Sequence, residues 1–136
     1  MTNANNIAGG AGAWVKTGWV LTGLTAAFLA IASALPKLVG HESVAQAMDP
    51  LGWPVGHAVW IGVLEVLIVV LYLVPRTSLL GLVLLTGLLG GAMGAHIRVG
   101  SPLFSHTLFG VYLGLFAWAG LWLREPRLRA LLPFRR

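Results

Sequence analysis

The sequence predicts an all-α protein, an antiparallel four-helix transmembrane bundle with both termini in the cytoplasm. Three observations carry this. The chain of 136 residues is 57% hydrophobic and only 10% charged, where a soluble domain carries about 25% charged residues, and its mean hydropathy is +0.85. Four segments each offer the roughly 20 mostly apolar residues that a membrane crossing needs. Prolines and basic residues fall at the ends of those segments, where helices stop and start.

Taken in order, residues 1–12 are small and polar and are expected to form a flexible N-terminus ahead of a transmembrane domain over 13–125. Span 1 covers about 14–35 and closes at Pro36-Lys37. Within it Ala32-Ser33-Ala34 has the small-x-small form of a secretory cleavage site, but the segment lacks a basic leader, so it is expected to be a retained span. The longest connection, 37–54, is placed outside. There His41–Met48 is expected to form a short interfacial helix stopped by Pro50 and Gly52, its polar residues facing water. Span 2 covers about 55–74, between Pro54 and Pro75-Arg76. Span 3 covers about 78–97 and ends at Arg98. Span 4 covers about 104–123, and a basic cytoplasmic tail follows over 126–136. The links between spans 2 and 3 and between spans 3 and 4 are only a few residues long, which makes those spans antiparallel neighbours.

Lys and Arg set the orientation. Lys16, Arg76, Arg124, Arg127, Arg129, Arg135 and Arg136 collect on one side, and Lys37 and Arg98 on the other. This places Trp14, Trp19, Trp118 and Trp122 near the inner interface and Trp53 and Trp60 near the outer one. The net charge of +5 invites a nucleic-acid partner, but five of the nine basic residues lie at or beyond Arg124. That is the pattern of a tail facing anionic lipid, and no basic-aromatic face of a soluble domain supports nucleic-acid binding. The chain has no Cys, which excludes a disulfide, a thiolate metal site, an Fe–S cluster and a Cys nucleophile. Gly87-x-x-x-Gly91, Gly90-x-x-x-Gly94 and Gly110-x-x-x-Gly114 let helix backbones approach closely. The first expectation is packing within the bundle, and the second is a homodimer or another membrane subunit.

Chemistry is read around Glu65, which has only uncharged residues from Leu51 to Val74 around it. An acidic residue at mid-membrane costs roughly 2.5–3.5 kcal/mol on insertion scales, and such residues mark function. Counting depth at about 1.5 Å per residue brings Thr22, Thr25 and Thr86 within about a turn of it. Tyr112 has similar depth but points away. The count puts no Lys, Arg or His at that level, so the carboxyl is expected to stay protonated and to donate one hydrogen bond, to a threonine, a backbone carbonyl or a ligand. A purely structural interhelical bond is the competing reading.

A second layer lies outside. Antiparallel pairing brings His57, His96 and His106 to similar depth, with Arg98 and Lys37 on the same side. His57, Ile61 and Glu65 follow at i, i+4, i+8 and trace one stripe from that layer to the buried acid. Three imidazoles at one level have the composition of a Zn or Cu site, and one or two could ligate haem. They stand on different elements and no spacing motif ties them, so ordinary hydrogen bonding is expected and metal or haem is not. His57 and His96 are expected to border the mouth of a cavity between spans 1, 2 and 3, with Lys37 or Arg98 in reach.

The order and spacing of several short segments resemble the DoxX-like family of small four-helix bacterial membrane proteins. The segments are Ser33-Ala34-Leu35-Pro36-Lys37-Leu38, Leu51-Gly52-Trp53-Pro54, Gly62-Val63-Leu64-Glu65, Leu73-Val74-Pro75-Arg76, Gly90-Gly91-Ala92-Met93-Gly94-Ala95-His96, and the run from Trp118 to Arg129. The resemblance covers about residues 15–133. It implies that Lys37, Glu65 and His96 occupy the family's characteristic polar positions. The family's usual Ser-Gly pair before the lysine is Ser33-Ala34 here. Some related proteins are subunits of quinone-linked sulfur oxidoreductases or are linked to membrane redox complexes, and related eukaryotic proteins assist receptor assembly.

The sequence therefore leads to a multi-pass inner-membrane protein, a small part of a redox or quinone-linked system. It would hold a quinone or another lipophilic molecule near Glu65. Glu65 and His96 are the candidate catalytic residues. Lys37, His57, Glu65, Thr86, Met93, His96 and Arg98 are the candidate ligand contacts, with no metal ligand assigned. The rivals are an interaction or assembly protein, and a small membrane enzyme or carrier for a hydrophobic substrate.

Overall fold

The computed structural model describes residues 3–132, with side chains from Gly9 onward. The described chain is helical apart from short links, with no strand among those residues. Helix α1 (Asn3–Ala27) passes through a π-helical segment (Phe28–Ala34) into α2 (Leu35–Val39), forming one continuous rod. The helix runs from Asn3, and the glycines at 9, 10 and 12 lower helix propensity without ending it, because no proline interrupts it; residues 1–2 of the expected N-terminal segment over 1–12 lie outside the described residues. The rod also outruns the expected stop at Pro36-Lys37. A proline ring clashes with the carbonyl four residues back, and the wide π turn before Pro36 moves that carbonyl aside. The rod ends at Gly40, whose φ of 66° closes the helix in the left-handed conformation that glycine adopts without strain.

The outer connection carries α3 (Glu42–Met48), capped by the His41 ring accepting from the Ser43 N–H, and a 3₁₀ turn (Asp49–Leu51) that Gly52 terminates. Val44 and Met48 are buried against Ala58 of the next helix, while Glu42, Ser43 and Gln46 face out. Then follow α4 (His57–Leu73), α5 (Ser78–Arg98), a π-helical turn (Leu103–Thr107), α6 (Phe109–Arg124) and α7 (Pro126–Leu131). The basic tail is thus partly a short packed helix: Leu128 is buried, and Trp122 Nε1 donates to the Leu132 carbonyl at 3.0 Å.

Three stretches, Gly9–Val39, Ser78–Arg98 and Leu103–Arg124, are long and apolar enough to cross a membrane. α4 is as apolar but has 17 residues, which at 1.5 Å per residue gives about 26 Å, a little under the ~30 Å hydrocarbon core. The outward faces are apolar, with Leu24, Ile31, Trp60, Phe104 and Leu115 all more than 60% exposed. The interior cluster contains Leu29, Ile68, Tyr72, Leu82, Leu85, Ala117 and Leu121.

Glycines set the closest helix approaches, and of the sequence motifs only Gly110-x-x-x-Gly114 takes part. A Cβ on Gly18 would meet Gly120 O at 2.8 Å, one on Gly81 would meet Tyr72 Cα at 2.7 Å, and one on Gly62 would meet Lys37 Cβ at 3.1 Å. Gly110 is pressed against Met93, whereas Gly87, Gly90, Gly91 and Gly94 have open space where a Cβ would stand. The α5 glycine pairs therefore do not pack inside the chain. Spacing alone finds a small-residue stripe but not the side of the helix that meets a neighbour.

Candidate functional site

Glu65 is buried, 6% exposed, and it is not alone. Lys37 Nζ lies 3.0 Å from each of its carboxylate oxygens, and Ser33 Oγ donates to Oε1 at 2.9 Å. The lysine also donates to Ser33 Oγ at 2.7 Å and to the Ser33 carbonyl at 3.1 Å. The three ammonium hydrogens are thus fully committed, and the unused capacity of the cluster is acceptor lone pairs on Glu65 and Ser33.

Local sequence builds this arrangement. Ser33 and Lys37 stand four residues apart and so share a helix face. Gly62 and Glu65 stand three apart on the facing helix. With no side chain, Gly62 lets the α2 backbone come close, so that the lysine reaches Glu65 one turn further along. The π-helical segment widens the rod at the same place, a feature often found at functional sites.

Lys37 overturns the expectation that no cation reaches Glu65's depth. Counting from each span's own centre places Lys37 well above Glu65. The rod, however, continues as helix to Val39, and the lysine's flexible four-carbon stem carries the ammonium the remaining distance. The threonines expected nearby bond elsewhere. Thr22 meets the Tyr72 hydroxyl at 3.4 Å, Thr25 donates to Leu21 O, and Thr86 donates to Leu82 O while accepting from Trp118 Nε1 at 3.0 Å. Tyr112, set aside on its direction, is 42% exposed.

A cavity of about 160 Å³ adjoins the Ser33–Lys37 side of the pair; Glu65 does not line it. Ala32, Ser33, Pro36 and Lys37 form one wall, and Ser43, Val44 and Met48 of α3 face them. It lies between the end of the first helical rod and the outer connection, and neither His57 nor His96 lines it. This cavity is therefore not the mouth expected at His57 and His96 between spans 1, 2 and 3. The outer histidine layer also divides. His57 packs edge-on against Trp53 with ring centroids 6.1 Å apart, whereas His96 and His106 meet at 5.7 Å. Among the described residues no group of three His, Cys, Asp or Glu is placed to hold a metal ion. Arg98 reaches back from α5 to the Leu51 carbonyl and so ties α5 to the outer connection. The structure thus brings Lys37 and Glu65 together. It leaves Thr86, Met93, His57, His96 and Arg98 in separate contacts.

Sequence reasoning missed Ser33 as a site residue, although its i, i+4 spacing to Lys37 was the available signal. It also missed a buried polar cluster at the other end of the helices. Arg124 is 8% exposed. Its guanidinium donates to Tyr72 O at 2.6 Å and sits 4.2 Å from the Trp19 ring centroid. The Tyr72 hydroxyl in turn donates to Ala117 O at 2.7 Å. This cluster joins α1, α4 and α6 and holds the end opposite the ion pair.

The DoxX-like family model matches residues 20–120, which include Ser33, Lys37, Glu65 and His96. No curated protein and no solved structure matches the chain.

Proposed function

This chain belongs to the DoxX-like family, and we propose that it is a small component of a redox or quinone-linked system of the bacterial inner membrane. It is a small integral membrane protein. In this reading its helices form an antiparallel four-helix transmembrane bundle, and Ser33, Lys37 and Glu65 hold the polar head of a lipophilic molecule. The observation that carries the reading is a buried ion pair whose Lys37 and Ser33 border a cavity, with Val44, Ala47 and Met48 making most of its far wall. At about 160 Å³ the cavity is below the ~300–1,000 Å³ usual for a drug-sized ligand. It suits a head group, with the tail running along the exposed apolar helix faces. A quinone carbonyl would take the lysine hydrogen now given to the Ser33 carbonyl, and Glu65 would keep the ammonium aimed.

The test is mass spectrometry of an organic extract, with a visible absorption spectrum, of protein purified in mild detergent. Wild type is expected to retain a quinone-class molecule and Lys37→Met to lose it. A wild-type protein that retains nothing, and whose tryptophan fluorescence is unchanged by added quinone, would overturn the reading. A second reading, an interaction or assembly protein that pairs with its own copy or another subunit, is favoured by the open glycine face of α5. A third, an enzyme or carrier for a hydrophobic substrate, would use Glu65 as acid or base beside the same cavity.

The topology has its own expected result. With seven basic residues against two, both termini lie in the cytoplasm, and the C-terminal tail meets anionic lipid. A reporter fused after Arg136 is expected to be active only when it is of the cytoplasmic kind. Activity of a periplasmic reporter there would invert the protein and put the Lys37–Glu65 cavity on the inner side.

A further inference from the structure

The ion-pair site makes no use of two of the outer histidines, and those two are built alike. His96 Nδ1 is bonded to Ser101 Oγ at 3.0 Å, and His106 Nδ1 is bonded to Ser105 Oγ at 2.7 Å. When each Nδ1 carries the proton and donates it to its serine, each Nε2 keeps a lone pair. No other hydrogen-bond partner takes it among the described residues. Metal-ligating histidines are held in this way, one ring nitrogen anchored to a second residue so that the other faces the ion.

We propose that His96 and His106 form a site for a soft first-row metal ion, Cu(I) foremost, with Met93 as the third ligand. The spacing supports it. With metal–nitrogen distances of about 2.0–2.1 Å, an ion would lie ~3.2 Å from each ring centroid. The observed 5.7 Å between centroids then corresponds to an angle of ~125° at the metal, close to trigonal, which leaves one in-plane position. Met93 stands three residues before His96 on α5, one turn away on the same face. Gly110 stands four residues after His106, and the Met93 thioether is packed on it, with Sδ 2.9 Å from where a Gly110 Cβ would be. Chain register therefore sets the thioether one turn below both imidazoles, on the line where the two helices meet. A thioether beside two imidazoles selects Cu(I) over harder ions, and imidazoles alone accept Zn(II) or Ni(II). None of this depends on the quinone reading.

The test is Cu(I) binding by detergent-purified protein carrying a tag free of histidine, in competition with a chromophoric chelator, and repeated with Zn(II) and Ni(II). Wild type is expected to bind one Cu(I) per chain, more tightly than Zn(II) or Ni(II), with X-ray absorption reporting two nitrogen ligands and one sulfur. His96→Ala and His106→Ala are each expected to lose more affinity than the 10–100-fold that loss of an outer-shell anchor costs, and Ser101→Ala is expected to fall within that range. Met93→Leu should keep two nitrogens and lose the sulfur signal. His57→Ala, which packs on Trp53 instead, should bind as wild type. His106 is exposed, so its variant is expected to melt like wild type and to remain informative if His96→Ala fails to fold. Absence of Cu(I) binding in wild type overturns the site. So does undiminished binding in His106→Ala, an equal loss in His57→Ala, or one ion per two chains.

Discussion

Lys37→Met is expected to destabilise the protein by about 2–4 kcal/mol, and adding Glu65→Leu is expected to restore most of the loss. Removing one member of a buried ion pair strands the other charge, at a cost of roughly 3–5 kcal/mol. The lower figure applies here because the lysine side chain keeps 20% of its exposure while the glutamate keeps 7%. Ser33 alone offers Glu65 one hydrogen bond at 2.9 Å, too little to hold a carboxylate among the apolar neighbours of α4. Replacing both partners by apolar side chains of similar volume removes the stranded charge, and such exchanges are often neutral or stabilising. The check is the unfolding midpoint of wild type, single and double variants in one detergent. A single variant as stable as wild type would mean that the pair holds nothing. Recovered stability without recovered ligand retention would separate the site's chemistry from its part in joining the first helical rod to α4. Glu65→Gln sharpens the same distinction, because it keeps shape and hydrogen bonding but cannot form the ion pair.

Much of the fold was legible because it rests on long-range composition. Hydropathy, prolines and basic residues marked the ends of α4 and α5 and the C-terminal end of α6 to within two residues, whereas α6 starts at Phe109, five residues later than expected, after a π-helical turn; the short helix after His41 was visible in its local pattern. Interhelical contact was less legible. The glycine pairs of α5 satisfy the spacing for close packing, yet the glycines that press closest on a neighbouring helix are Gly18, Gly62, Gly81, Gly110 and Gly120. Spacing gives a face of one helix. Which face meets a partner depends on the rotation of both helices, and nothing in a single helix's sequence encodes that.

The site shows the same limit. Glu65 stood out because an acid in an apolar run has no local reason to be there. Its partner did not, because depth was counted from the centre of each span as though all spans were alike. The first helix continues through a π segment to Val39, and a lysine side chain spans more than a turn. Those two facts together carry a residue assigned to the outer surface into contact with one assigned to the midplane. The histidines erred in the opposite sense. Chain geometry puts three at one level, but a common level does not fix direction around the bundle, and His57 turns to Trp53 while His96 and His106 turn to each other.

Gly81→Ala is expected to be the most damaging single methyl in the protein, costing about 3 kcal/mol or more, while Gly90→Ala is expected to be neutral or mildly stabilising. A Cβ on Gly81 would sit 2.7 Å from Tyr72 Cα and 2.8 Å from the Leu71 carbonyl carbon. Both are backbone atoms, so no rotamer change relieves the overlap. Overpacking that side chains can absorb costs roughly 1–3 kcal/mol, and here the helices themselves must move. The displacement would pass to Tyr72, whose hydroxyl holds the Ala117 carbonyl at 2.7 Å and whose own carbonyl holds Arg124 at 2.6 Å. One methyl therefore loosens the contacts α4 makes with both α5 and α6. Gly90 has nothing within 4 Å of its Cβ position, and alanine is the better helix former by about 1 kcal/mol. Unfolding midpoints of the two variants in detergent check the pair, and equal midpoints would contradict the close approach of α4 and α5. A larger residue at the open site, Gly90→Leu, reports on partners: it should leave the midpoint near wild type, and a concurrent loss of self-association would identify the open α5 face as the contact between copies.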